Sequence, residues 1–354
     1  MTAQDFLVER TNLANTQTQD ASIPELKSGQ ALIRVERYAL TANNITYGVA
    51  GDLIGYWQFF PASDGMGRIP VWGVGTVEKS ECEGVDVGSR YYGYYPMSDF
   101  LLVEPQKVND RGMFDAAEHR ASLPPTYNQY SLMNSDNGFE SEFDNHQMIY
   151  RPLFTTGFVL DDYFADNDFF GAKQIVLSSA SSKTSFSMAY LVKDRDVKTI
   201  GLTSPGNVEF VKNMGLYDSV VTYDAVSEID ATVPSAYVDM SGNRDVLSQL
   251  HHHLSDNMVN SCGVGITHYD ARDGEDPASL PGAKPSMFFA PSQIQKRNAE
   301  WGPERFQATL DAAWTRFLGD VDQWVDIIES GDVDGTYQTV LAGAKPNKAY
   351  IVVN

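Results

Sequence analysis

From Gln174 onward the chain alternates short apolar runs with amphipathic stretches, and this alternation limits the possible folds more than any other feature. "QIVLSSA" (174–180) reads as a buried strand, "TSFSMAYLVKDR" (184–195) as a helix, "VKTIGLTS" (197–204) as a second strand and "NVEFVKNMGL" (207–216) as a second helix. "DSVVTYD" (218–224), "SAYVDMS" (235–241) and "NMVNSCGVG" (257–265) continue as strands, with the helix "NRDVLSQLHHHL" (243–254) between the last two. Strands that are apolar on both faces and separated by helices imply a doubly wound parallel sheet.

The upstream half has a different texture. "QALIRVERYALTANNITYGV" (30–49) and "VWGVGTVEKSECEGVDVGSRYYGYYP" (71–96) are β-rich runs broken by Gly, Asp and Asn, the pattern of an irregular, partly closed antiparallel sheet. Residues 108–150 are polar around the acidic "NSDNGFESEFDNHQ" (134–147) and read as an elaborated loop with short helices, a lid or an insertion. Downstream, "PERFQATLDAAWTRFLGDVDQWVDIIESG" (303–331) reads as one or two amphipathic helices, and "KAYIVVN" (348–354) as a last strand. A chain of 354 residues is long for one domain, so two are expected.

Charge excludes some functions. With 47 acidic against 26 basic residues, a net charge of −21 repels a phosphate backbone, so no nucleic-acid partner is expected. Small anions remain acceptable where local N–H groups and a lysine receive them. The two cysteines, Cys82 and Cys262, cannot build a disulfide framework or a cysteine-rich zinc lobe, and the N-terminus lacks a basic region followed by an apolar run. A cytoplasmic protein without a membrane partner is the expectation.

The first β–α turn of the alternating region reads "SSASSKTS". A dinucleotide-binding turn at this place must let backbone N–H groups approach a pyrophosphate beside a helix N-terminus, and glycines normally allow that approach. Here Ser179, Ala180, Ser181, Ser182, Lys183 and Thr184 stand there instead. Two readings remain open: a phosphate turn rewritten in serine, with Lys183 adding charge, or an ordinary helix with a serine N-cap. A P-loop fits less well, because its first glycine would fall on Leu177. The second strand ends in Thr203 and Ser204 where an NAD site commonly places an acid. Neutral residues do not repel a 2′-phosphate, so NADP(H) is favoured over NAD(H).

With these segments in order, the chain resembles the medium-chain dehydrogenase/reductase superfamily, nearest its zinc-free quinone-reductase branch. "ALIRVERYALTANNITYGVAGD", "IPVWGVGTVEKSECEGVDVGSRYYGY" and "TTGFVL" are similar to that branch's N-terminal, glycine-rich and pre-cofactor segments. More narrowly, "YWQFFP" and "FFAPSQIQKRNAEWGPERF" resemble a poorly characterised bacterial family adjoining the superfamily. The resemblance implies an α/β protein: a GroES-like domain over 1–150 with an acidic loop insertion, a Rossmann domain over 151–304, and a return to the first domain over 305–354. The active site would lie in the cleft between them. Residues 179–185 would be the pyrophosphate turn, Asn207 would stand where some relatives carry a lysine, and Tyr223 would match a tyrosine used near the 2′-phosphate. Ser241 and Gly242, with Gly263 and Gly265, would end two strands beside the nicotinamide. The resemblance also implies a homodimer through the edge strand near "PSMFFAP" (285–291).

The departures bear on chemistry. Where zinc-dependent members use cysteine and Gly-His-Glu, this chain has Leu40 or Thr41 and "VWGVG" with Trp72, so no zinc is expected. Hydride transfer to a small-molecule carbonyl or activated alkene, of the quinone, enone or acyl-thioester class, then depends on positioning and on donors to an oxygen that becomes negative. Asn43, Asn44 and Tyr47 are the candidate donors, and Tyr56, Trp57 and Trp72 the candidate pocket walls. Each also has a plain structural reading, turn asparagines and core aromatics. The consecutive His251, His252 and His253 point about 100° apart on a helix and cannot converge on one ion. His119, His146 and His268 are scattered, and there is no G-x-S-x-G elbow. The competing expectation is an inactive dinucleotide-binding sensor or structural protein of the same fold.

Overall fold

The structure, a computed structural model, describes residues 3–52, 55–63, 65–264 and 275–354. The chain forms two compact units, residues 1–149 with 325–354 and residues 150–324, so that 305–324 lie in the second.

The first unit is β-rich and draws on both ends of the chain. Its central strand, Ala31–Leu40, gives one edge to Pro70–Ser80 and shares the other between Phe100–Val103 and the terminal strand Lys348–Val353. Register shifts at Leu32/Ile33 and Val35/Arg37 mark bulges that bend this strand. Its inward residues Ile33, Val35, Tyr38 and Leu40 join Val71, Val77, Tyr95 and Val352 in the main core. Burying these side chains supplies the dominant stabilisation.

Residues 108–150 are more ordered than an elaborated loop. Pro105–Asn109, Gly112–Asp115 and Gln129–Leu132 are strands that extend the nine-stranded sheet. A buried ion pair holds them: Arg120 meets Asp115 at 2.6 Å and donates to the Tyr130 hydroxyl at 3.1 Å. The acidic stretch closes in short turns and the start of the helix Asp144–Asp166, where Asp144 pairs with Arg90 at 2.7 Å. The segment 303–331 also divides. Pro303–Val321 is the expected helix, but Asp326–Ser330 is a strand parallel to Lys348–Val353. Ile327 and Ile328 favour extended backbone, and the edge of the terminal strand supplies the hydrogen bonds.

The second unit holds a six-stranded parallel sheet. Its spatial order is Ser219–Thr222, Lys198–Thr203, Gln174–Leu177, Ser235–Asp239, Met258–Val264 and Ser286–Phe288. That is the 3-2-1-4-5-6 order of a doubly wound dinucleotide-binding sheet. Together with the β-rich unit built from both chain ends, it gives the expected α/β architecture. The helix Lys183–Val192 lies so close to Asp144–Asp166 that a Cβ on Gly157 would come within 2.8 Å of the Met188 nitrogen, so the glycine of "TTGFVL" is a packing requirement. The edge strand leaves Met287 and the following Phe289 exposed, at 51% and 67%. Among the described residues no helix is long and apolar enough to cross a membrane.

Candidate functional site

The serine-rich turn leaves the carboxyl end of the Gln174–Leu177 strand, where ligands of doubly wound sheets bind. Ser179 takes a left-handed conformation, φ +49°, which costs a non-glycine residue roughly 1–2 kcal/mol. The turn has no glycine because the neighbouring strand supplies one. A Cβ on Gly201 would lie 3.1 Å from the Ala180 methyl and 2.9 Å from the Tyr217 ring, so glycine there lets the turn close onto the sheet. Ala180 N donates to the Leu202 carbonyl at 3.1 Å.

The N-cap reading of the turn is realised. Ser182 caps the helix, its hydroxyl accepting from Ser185 N at 3.2 Å. The N–H groups of Ser181 and Thr184 make no hydrogen bond among the described residues and stand at the positive end of that helix. Lys183 occupies the first helical position, and burial pushes its ammonium down to about 8. An ammonium beside a helix N-terminus is itself unfavourable, so an anion bound there would relieve both.

Two tyrosines and an asparagine clamp the turn. The Tyr223 hydroxyl accepts from Ser179 N at 2.9 Å, Tyr217 donates to the Ala180 carbonyl at 2.9 Å, and Asn207 donates to Ser181 Oγ at 3.1 Å. Tyr223 and Asn207 therefore lie against the turn. Tyr217 was not anticipated from sequence; its place just before a strand carries no motif. Thr203 is buried at its strand end, and Ser204 precedes the short turn Pro205–Asn207.

Next to the turn, Asp239 closes a buried polar knot. Its Oδ1 accepts from Ser241 N and Oγ at 2.9 and 2.8 Å, from Gly242 N at 3.1 Å and from Ser178 Oγ at 3.0 Å. Ser178 Oγ in turn accepts from Met240 N at 2.8 Å. Ser241 and Gly242 thus form a turn shaped by a carboxylate beside the serine-rich one, with Ser178 as the unanticipated link. Gly263 is buried in the adjoining strand, and Gly265 lies outside the described residues.

The first unit carries an aromatic cluster. Phe59, Phe60, Tyr94 and Leu123 are buried in it, and Tyr47, Tyr56, Trp72 and Tyr127, partly buried, pack against them. Tyr47 and Tyr56 rings lie 4.4 Å apart, Tyr94 and Tyr127 4.7 Å, and the Tyr56 and Tyr127 hydroxyls 3.3 Å. Burial drives the phenols of Tyr47, Tyr56 and Tyr94 well above the ordinary tyrosine range, with neighbouring tyrosines adding to it. Near neutral pH these three are therefore hydrogen-bond donors. Arg120 stacks on Phe60 at 4.6 Å and pairs with Asp115 at 2.6 Å.

Three sequence candidates are placed elsewhere. Asn44 is buried: its Oδ1 accepts from Thr41 N at 2.8 Å, and its Nδ2 donates to the Pro70 carbonyl at 2.9 Å, so it holds the start of the helix Ala42–Val49. Trp57 faces the main core, where a Cβ on Gly51 or Gly67 would strike its indole. Asn43 is half-buried and makes no side-chain hydrogen bond among the described residues. The histidines of "HHH" diverge, His251 to the Pro281 carbonyl and Ser261, His252 to Glu275, and His253 to the Ile229 carbonyl.

A parallel sheet in this order and a β-rich unit made from both chain ends together make the fold of the medium-chain dehydrogenases/reductases. Solved structures agree. CurA from Vibrio vulnificus is 14% identical, covering 100% of this chain and 99% of that chain at a TM-score of 0.64. The same protein solved in complex with NADPH gives 14% identity, 99% of each chain and 0.63. A putative NADPH:quinone reductase from Bacillus thuringiensis gives 13%, 100% and 99%, and 0.60. At such identities the likeness is one of fold. Within it, the chain belongs to the family described as protein of unknown function DUF2855, whose model matches residues 38–345. A comparison with the curated proteins finds no match.

Proposed function

We propose that this protein is a zinc-independent, NADP(H)-dependent oxidoreductase that reduces a carbonyl or activated alkene of the quinone, enone or acyl-thioester class. The observation that carries this reading is the turn itself: a left-handed Ser179, open N–H groups at Ser181 and Thr184, and Lys183, all at one helix N-terminus. Such a constellation receives a pyrophosphate. The NADPH complex of the similarly folded CurA supports it. Thr203, Ser204, Asn207 and Tyr223 are neutral where an NAD site would place an acid, which favours NADPH.

NADPH, when bound, supplies the hydride. This chain's part is to orient the acceptor and to stabilise negative charge on its oxygen, and in this reading Tyr47 is the donor of first choice, a phenol that burial keeps protonated beside Tyr56 and Trp72. No step requires a metal. In the same reading the protein works in the cytoplasm and pairs with a second copy along Ser286–Phe288, a contact supported by the exposure of Met287 and Phe289. Sedimentation of a Phe289→Asp variant tests that contact: a persistent dimer would move the interface elsewhere.

One observation favours the second reading, an inactive sensor or structural protein: Tyr223 already occupies the Ser179 N–H that a phosphate would use. Titration with NADPH and NADH, followed by nicotinamide fluorescence and thermal stability, separates the two. Saturable binding that prefers NADPH and weakens in Lys183→Ala supports the oxidoreductase. Absence of binding at millimolar cofactor would end it, and binding without turnover on any carbonyl would favour the sensor.

A further inference from the structure

The first unit holds a cavity of about 270 Å³, bordered by residues 3–5, 21–24 and 100–102 together with Leu32, Phe60, Arg68 and Ser98. Two polar side chains at its wall are short of partners. Asp5 and Ser98 form an isolated antiparallel bridge, flanked by Phe6 N donating to the Met97 carbonyl at 2.8 Å and Asp99 N to the Gln4 carbonyl at 2.9 Å. With the backbone bonds on either side of them, Asp5 and Ser98 are the closely spaced, non-hydrogen-bonded kind of cross-strand pair, their side chains on one face. They are only 7% and 6% exposed. Asp5 Oδ2 accepts from Arg68, but its Oδ1 accepts nothing among the described residues, and the buried Ser98 hydroxyl has no partner there. Buried groups left so cost stability unless an occupant serves them.

The chemistry of that occupant follows from the two groups. An ionised carboxylate oxygen only accepts, whereas a serine hydroxyl donates and accepts. One hydroxyl on a ligand serves both, donating to Asp5 and receiving from Ser98; an amide N–H would leave the serine proton unserved. Arg68 already balances Asp5, so a charged ligand would meet no uncompensated partner and would lose its hydration. The remaining wall is largely apolar, with the rings of Phe60 and Phe100 beside Ile23, Leu32 and Leu102. A dry cavity of about 150 Å³ takes benzene. One of about 270 Å³ therefore takes a ring with a short substituent. We propose that this cavity binds a small neutral phenol, its ring against Phe60 and Phe100 and its hydroxyl between Asp5 and Ser98. The site lies wholly in the first unit and includes no residue of the serine-rich turn, so it stands apart from the cofactor reading.

The probe is para-fluorophenol, titrated into the full chain without cofactor and followed by fluorine NMR, with para-fluorotoluene, which lacks the hydroxyl, as its comparison. Saturable binding of the phenol is expected, about 10-fold tighter than the toluene, the difference a hydrogen bond to a charged carboxylate makes. Ser98→Ala is expected to weaken phenol binding about 3- to 10-fold and Asp5→Asn about 10-fold, with thermal melts checking that each variant is folded. Equal affinity of the wild-type protein for the two probes overturns the proposal without recourse to a variant, as does absence of phenol binding at millimolar concentration. Phenol affinity unchanged in both folded variants also overturns it, because the phenol then sits elsewhere. With no NADPH present, each outcome leaves the oxidoreductase reading to its own titration.

Discussion

The Tyr223 hydroxyl accepts the backbone N–H of Ser179 at 2.9 Å, linking the end of one strand to the turn after another. Ser179 is left-handed, and its N–H would otherwise point to the place an anion would take. Tyr223→Phe removes the acceptor and keeps the ring. It is expected to lower stability by about 1 kcal/mol without ligand, measured by urea unfolding. An unchanged midpoint would mean that solvent already serves this N–H.

Lys183 gives the turn a pH signature. Its folded pKa is about 8, below the unfolded value, so between pH 8 and the unfolded pKa the unfolded chain holds the extra proton. Stability should therefore rise with pH across that window, by at most about 3 kcal/mol, and Lys183→Met should flatten the rise. An anion at the turn raises the lysine pKa, so NADPH affinity should fall as pH climbs through 8 and binding there should take up a proton. Calorimetry in buffers of different ionisation enthalpy reads that proton, and none would place the anion away from Lys183.

Ser178 is fully buried and joins two strands through Asp239 and Met240. Ser178→Ala leaves a carboxylate oxygen and a backbone N–H short of a partner. A loss of about 2–3 kcal/mol in urea unfolding is expected, together with a weaker thermal shift by NADPH if the knot also shapes the phosphate turn. A neutral outcome would show that the Ser241 and Gly242 donors suffice.

Asn43 and Asn44 are neighbours with opposite consequences. Asn44→Ala breaks bonds to Thr41 and Pro70 in a buried place and should cost about 2 kcal/mol. Asn43→Ala should stay within about 0.5 kcal/mol. Thermal melts of the two variants decide it; equal stability would assign Asn44 a role other than holding the helix start.

The parallel sheet was legible because periodicity is local: four to six apolar residues between helices can be buried on both faces in few ways. The doubly wound sheet and the strand-to-helix turn at the serines followed from such runs; the use of both chain ends was implied by the resemblance to a known superfamily, and the strand order was set by the fold. Asp326–Ser330 and the strands of 105–132 were not legible, since a short edge strand takes its identity from the partner edge it pairs with, and that edge lies far along the chain.

The site divides along the same line. Residue types in sequence placed Ser179 to Thr184 at a strand-to-helix turn, and the resemblance made Tyr47 a candidate donor and Tyr56, Trp57 and Trp72 candidate pocket residues. Tertiary packing alone decided that the turn's glycine sits at Gly201, that Asn44 and Trp57 serve the framework, and that Tyr127 stands beside Tyr56 from 71 residues away. A hydroxyl's function depends on which atom it faces, and for residues so far apart only the folded chain sets that.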